Sequence, residues 1–206
     1  MGTKDRSWGV RGVGEPETGG APTAGPGIFF FWTPLIWDDH ISHAIFFDGP
    51  EGQPLVREGL TAPLYSSESE VPEDGESQII KQLTARHRIK YHPGTRLAAS
   101  AEVDLVGLDE SVRTIKMRPI LKFMMKGLGY THPEWRQGAR KGELEVGHES
   151  FDPRQLDHLA PENIHNQQIV KVSDGEREGV GVMEQIFFGP YMPSGFKTAL
   201  DGYKSD

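Results

Sequence analysis

The chain contains no cysteine, which removes disulfide frameworks, thiolate nucleophiles and cysteine-bound metals together. A reducing compartment is compatible with that. The opening residues MGTKDRSWGV carry no apolar signal segment, so a cytoplasmic location is expected. No unbroken apolar run approaches the roughly 18 residues of a membrane helix, so no integral membrane segment is expected. Positive charge is scarce as well: 22 Lys and Arg against 30 Asp and Glu leave a net charge of −8 and no basic patch for nucleic acid. Catalytic signatures are missing too. There is no Gly-x-Ser-x-Gly, and Gly12-x-Gly14 lacks the rest of a dinucleotide fingerprint. Most hydrolase and dehydrogenase readings fall away, and no cofactor is implied.

What is present is turn chemistry and short apolar alternation. With 25 Gly, 15 Pro and 36% apolar residues in 206 positions, the composition favours short strands and a single all-β domain. The stretch 28–48, IFFFWTPLIWDDHISHAIFFD, is the most apolar. It predicts strands over Ile28–Trp37 and His40–Asp48. The first is apolar on both faces, so its outer face needs a cover from another element or subunit. Pro34 cannot donate to a ladder and predicts a bulge or an edge position. Residues 12–27 are too rich in Gly and Pro for regular structure and read as a flexible loop. Further strands are expected over Lys4–Val13, Pro54–Tyr65, Val112–Phe123 and Lys141–Phe151. A last hairpin joins His165–Ser173 to Glu178–Phe188, and residues 189–206 read as a tail packed on the outside. Asp152 and Pro153 predict one short helical turn.

The clearest hairpin is Ile79–Gly107, turning at His92-Pro93-Gly94. Matching its apolar faces sets Tyr91 opposite Leu97, His87 opposite Ala101 and Arg86 opposite Glu102. The small residues Ala85, Ala99 and Ala101 around His87 leave room for a ligand or for close approach of another element. About ten strands at hairpin spacing predict an antiparallel up-and-down β-barrel of the lipocalin kind, about 8–10 strands with one short helix, with a sandwich as the alternative.

Two polar clusters could carry chemistry. In Asp38-Asp39-His40-x-x-His43 the odd spacing puts His40 and His43 on opposite strand faces, which argues against one metal ion. Simple alternation aligns Asp39 and His43 with Trp37, Ile41 and Ile45. His43 then serves as acid or base in an apolar cavity with Asp39 tuning it, or as a hydrogen-bonded structural histidine. In His132-Pro133-Glu134-Trp135 a carboxylate beside an indole can sit at a cavity mouth or only fix a turn. Glu184 stands among Val180, Val182, Ile186 and Phe188 and requires a partner, with Arg6 or Arg11 as candidates.

The run Asp5-Arg6-Ser7-Trp8-Gly9-Val10-Arg11 resembles a signature of the AttH-like and carotenoid hydratase (hydroxyneurosporene synthase) superfamily. His132-Pro133-Glu134-Trp135, Gly142-Glu143-Leu144, Gly181-Val182-Met183-Glu184-Gln185 and Pro193-Ser194-Gly195-Phe196 follow in the order of the C-terminal half of bacterial members. The resemblance implies a lipocalin-like barrel, usually one of two in tandem. Relatives include carotenoid hydratases, tocopherol cyclases and fungal Diels–Alderases, acting on polyene or prenyl substrates. In the hydratases the residue matching Arg6 is a histidine implicated in catalysis. Arg6 cannot release a proton near neutral pH, so hydration is doubtful here. Only Gly2 to Lys4 separate the initiating Met from this motif, so a homodimer or a missing N-terminal barrel is expected.

These residues predict a protein binding a hydrophobic small molecule (isoprenoid, polyene or lipid-like) in a barrel cavity. Arg6, Trp8, Trp37, His87, His132 and Trp135 are the candidate ligand-binding side chains. The alternatives are a non-metal isomerase, cyclase or hydratase using His43, Asp39, Glu134 and Glu184, and a structural or interaction domain with a filled barrel.

Overall fold

The computed structural model describes residues 27–124, 143, 146–160, 163 and 165–203. The expected strand Lys4–Val13 and the loop 12–26 lie outside them. Among the described residues, nine antiparallel strands form one curled sheet in the order β4-β3-β2-β1-β9-β8-β7-β6-β5. The strands are β1 Ile28–Ile36, β2 His40–Asp48, β3 Pro54–Pro63, β4 Ile80–Lys81, β5 Thr84–Tyr91, β6 Ala98–Val106, β7 Val112–Met124, β8 Asn166–Ser173 and β9 Glu178–Phe188. The fold is the expected up-and-down, barrel-like β structure. Among the described residues the first strand pairs with the last, β1 with β9.

The sheet's two ends, β4 and β5, are consecutive in the chain. Gln82 N–H still donates to Gly59 C=O at 2.9 Å, on the β3 side. Leu83 N–H donates at 2.8 Å to Val106 C=O, on the β6 side. Two residues therefore stitch a seam that β3 and β5 leave without a backbone ladder. Gly59 serves the same closure, because Leu105 of β6 packs across the seam to within 2.9 Å of where a Cβ would stand.

Alternation explains the interior. Phe29, Phe31 and Leu35 of β1, Phe46 of β2, Val103 and Leu105 of β6, Ile115 and Met117 of β7, Val170 of β8 and Met183 and Phe187 of β9 form one buried cluster. Each large apolar side chain contributes about 1.5–3 kcal/mol by leaving water. These side chains pack the described part of the interior.

Four expectations are corrected. Pro34 lies in a central strand, between β2 and β9. Its missing N–H is replaced by Thr33, whose hydroxyl donates to Val182 C=O at 2.8 Å. In the β5–β6 hairpin the face parity is as expected but the register is two residues longer: His87 faces Val103, Arg88 faces Glu102 and Arg86 faces Asp104. The cause is a six-residue turn, with His92 N–H bonded to Leu97 C=O and a bulge at Lys90/Tyr91. Residues 146–151, within the strand expected over Lys141–Phe151, form no strand, and Val146 is 81% exposed. Residues 189–203 are no outer tail, since Tyr191 and Phe196 join the core. The turn after Asp152 does form, as a single 3-10 turn over Pro153–Gln155.

Gly181 lies opposite Leu35, and a Cβ there would stand 2.5 Å from Pro34 C=O. Gly181→Ala is expected to lower the unfolding free energy by about 1–3 kcal/mol through overpacking. Urea denaturation checks it.

Candidate functional site

Three polar assemblies and one groove are on the described surface and interior. The deepest assembly centres on Asp48, fully buried at the end of β2. Its Oδ2 accepts from His87 Nε2 at 2.8 Å and from the Tyr191 hydroxyl at 2.9 Å. Arg57 donates to Oδ1 through Nε and Nη2, at 3.2 and 3.0 Å. Burial alone would raise the Asp48 pKa, but the His87, Arg57 and Tyr191 donors outweigh it and hold it below 3.8. The His87 ring is boxed edge-on by Phe31 and Phe46. The space its small neighbours leave is thus taken by phenyl rings, which hold His87 against Asp48.

The second assembly lies at the β1–β2 turn. A two-residue turn, Asp38-Asp39, switches the inward parity from odd in β1 to even in β2, as the pairing of Ile36 with Ile41 requires. Trp37 therefore points inward with His40, their rings parallel at 5.6 Å, while His43 lies on the outer face against Trp32. Trp37, Asp39 and His43 do not form one wall; alternation carried unbroken through the turn produced that expectation. His40 and His43 do lie on opposite faces.

Arg113 of β7 closes this cluster from beneath. Its guanidinium lies over the Trp37 ring at 4.5 Å, donates to His40 Nε2 at 2.9 Å and to Asp174 Oδ2 at 2.9 Å. An arginine only donates, so His40 Nε2 accepts and the ring proton sits on Nδ1, bonded to Asp39. Asp39 stays 69% exposed and its pKa is lowered chiefly by that His40 bond. His40 has no free lone pair with which to act as a base.

The third assembly pairs Glu184 with His165 at 2.5 Å and with Gln167 Nε2 at 3.0 Å. Glu184 therefore has its partners one strand away, on β8 and the residue before it. Arg6, Trp8, His132, Glu134 and Trp135 lie outside the described residues.

The groove is at the seam. Ile80, Lys81, Leu105, Leu108 and Arg113 bound a depression of about 400 Å³ between β3–β4 and the β6–β7 turn. Ile80 and Leu108 are 62% and 77% exposed. Asp109, on the same turn, is already occupied by the Ser111 N–H and hydroxyl, at 3.1 and 2.6 Å. Strand alternation could not announce this groove, because it depends on where a ladder stops.

The chain belongs to DUF8625, a family of unknown function. The family model matches residues 1–197. No curated protein and no solved structure matches the chain. Among the described residues of this family member, no group of three or more His, Asp or Glu side chains is placed to hold a metal, and no helix is long and apolar enough to cross a membrane.

Asp48, Asp104 and Asp174 all have pKa values below the ordinary 3.8. A lowered folded-state value stabilises above the unfolded value and is lost as pH falls through it. Stability is therefore expected to be flat from neutral pH to about 5 and to fall below about 4. Asp48→Asn, which leaves Arg57 and His87 facing a neutral amide, is expected to cost about 3–5 kcal/mol at pH 7 and to flatten part of that acid limb. Denaturation curves across pH check both.

Proposed function

We propose that this chain is a non-catalytic binding module for a hydrophobic small molecule (isoprenoid, polyene or lipid-like) carrying an acidic head group, and that the seam groove, not the barrel interior, is where it binds. The observation that carries the reading is the groove itself: about 400 Å³, walled by Ile80, Leu105 and Leu108, at the one place where the sheet lacks a ladder. That volume lies within the roughly 300–1,000 Å³ of ligand sites. Lys81 on its rim supplies a cation, and Asp109, the carboxylate among the described residues that line it, is held by Ser111. A filled interior argues against the internal cavity expected from the strand count. The resemblance to carotenoid hydratases supports the same ligand class. The catalytic alternative is disfavoured because Asp39 is bonded to His40, His43 lies on the outer face against Trp32, and Glu184 is bonded to His165 and Gln167.

Laurate and dodecanol separate the two parts of the site. Lys81→Glu is expected to weaken laurate about tenfold, worth roughly 1.4 kcal/mol, and to leave dodecanol unchanged. Leu108→Asp is expected to weaken both. Equal binding of both probes to wild type and Leu108→Asp, read by isothermal titration calorimetry, contradicts the groove.

The expected homodimer is kept as a second proposal. Leu121 and Ile169 face each other across β7–β8, with Val180 nearby on β9, and all three are exposed. Light scattering on a sizing column is expected to give twice the chain mass, and Ile169→Lys to return it to one.

A further inference from the structure

Buried polar atoms normally find a partner, and each exception asks for one. Six of the seven buried side-chain atoms without a hydrogen bond of good geometry are at one end of the barrel: Tyr91 Oη, which still leans on Gln185 and Ser194, Asn163 Oδ1, Asn166 Oδ1, Gln168 Oε1 and both amide atoms of Gln185. The seventh, Arg113 Nη2, stands 2.8 Å from Asp174 and so has an ionic partner. Gln168 and Gln185 are fully buried, and Asn163 and Asn166 are 4% and 5% exposed.

These residues are neighbours. Asn166 faces Gln185 across the β8–β9 ladder, and Tyr91 faces Ala98 across β5–β6. Gln168 Nε2 donates to Ala98 C=O at 3.0 Å, which fixes its Oε1 as the orphaned acceptor. Asn163 Nδ2 likewise donates to Asp157 C=O at 2.9 Å, fixing its Oδ1. A small cavity of about 10 Å³ lies against Asn163, Asn166, His158 and Arg96. That is room for about one water and for nothing larger.

The end is covered. Arg96, only 3% exposed, donates to the carbonyls of Gly189, Thr198 and Asp201 at 2.7, 2.7 and 2.5 Å. Its guanidinium also lies over the rings of Phe187, Phe196 and Tyr203 at 5.0, 4.8 and 4.8 Å. The C-terminal segment is thereby clamped over the polar atoms.

We infer that this end of the barrel is an internal hydration site: ordered water bridges Asn163 and Asn166 in the small cavity and continues to Gln185, Gln168 and Tyr91 beneath the Arg96-clamped segment. The chemistry selects water over an ion. The orphans are three neutral acceptors on Asn166, Gln168 and Gln185, a fourth on Asn163, one amide donor and one hydroxyl, and among the described residues lining the cavity Arg96 carries a permanent charge, a cation that repels a metal ion. Water offers two donors and two acceptors and matches a mixed neutral set.

Water–protein NOE spectroscopy on the wild-type chain tests this directly, since a water held in the fold gives cross-peaks to the side-chain amide protons of Gln185. Gln185→Met keeps the size and removes both orphan atoms. A bridged Gln185 makes this substitution destabilising, with Tm falling by about 2–4 °C, and weakens the water contacts of Gln168. A dry Gln185 makes it stabilising, because an unsatisfied amide is removed. Absent water cross-peaks with a rise in Tm overturn the inference. So does native mass spectrometry showing a retained molecule heavier than water that Gln185→Met releases.

Discussion

The carboxylate of Asp48 is the interaction on which the arrangement depends. The sheet is a continuous ladder from β3 through β1 and β9 to β6, but between β3 and β5 the backbone ladder stops. One buried anion spans that gap by accepting from β5 through His87, from β3 through Arg57 and from the C-terminal segment through Tyr191. The three donors offset the cost of taking a carboxylate out of water, and removing any one leaves a charge exposed to an apolar box of phenyl rings. Higher up the same seam, where β4 crosses over, closure passes to backbone hydrogen bonds and to Leu105 resting on Gly59. The groove begins where both devices end.

At the barrel's other open question, the space beneath the C-terminal segment, the closing element is again a buried charge. Among the described residues Arg96 makes no hydrogen bond to a carboxylate, although the Asp201 charge lies close enough to act on it. It is held instead by three backbone carbonyls and three ring faces, so the segment 189–203 is fastened by its own backbone. Desolvation lowers the Arg96 pKa, with Tyr203 and Asp201 acting in the opposite direction. A barrel sealed by an anion at its seam and a cation at its end, with phenyl rings between, leaves little interior for a ligand. That is why the proposed binding site is the outside of the seam.

Much of the fold was legible because period-two alternation is a local property. The bounds of β2, β8 and β9 follow from their own residues, and so does the hairpin parity of β5 and β6. What was hidden depends on distance. Asp48 and Tyr191 are 143 positions apart, and Arg96 meets carbonyls about a hundred residues away, so neither hub leaves a local pattern. The hairpin register slipped by two because the turn is lengthened to plant Arg96 at the barrel end, a tertiary demand. Pro34 was misplaced because the repair of its missing donor sits on Thr33, a residue that alternation treats as merely inward. His43 went to the wrong face because a tight turn resets parity, a rule that operates only once the turn's length is known.

Methyl NMR of the chain titrated with laurate tests the central claim, a filled barrel that binds at its seam. The account predicts shifts confined to the methyls of Ile80, Leu105 and Leu108, with Ile115, Val170 and Val172 in the core unmoved. Shifts of Ile115, Val170 and Val172, without those of Ile80 and Leu108, would place the ligand inside the barrel and contradict it.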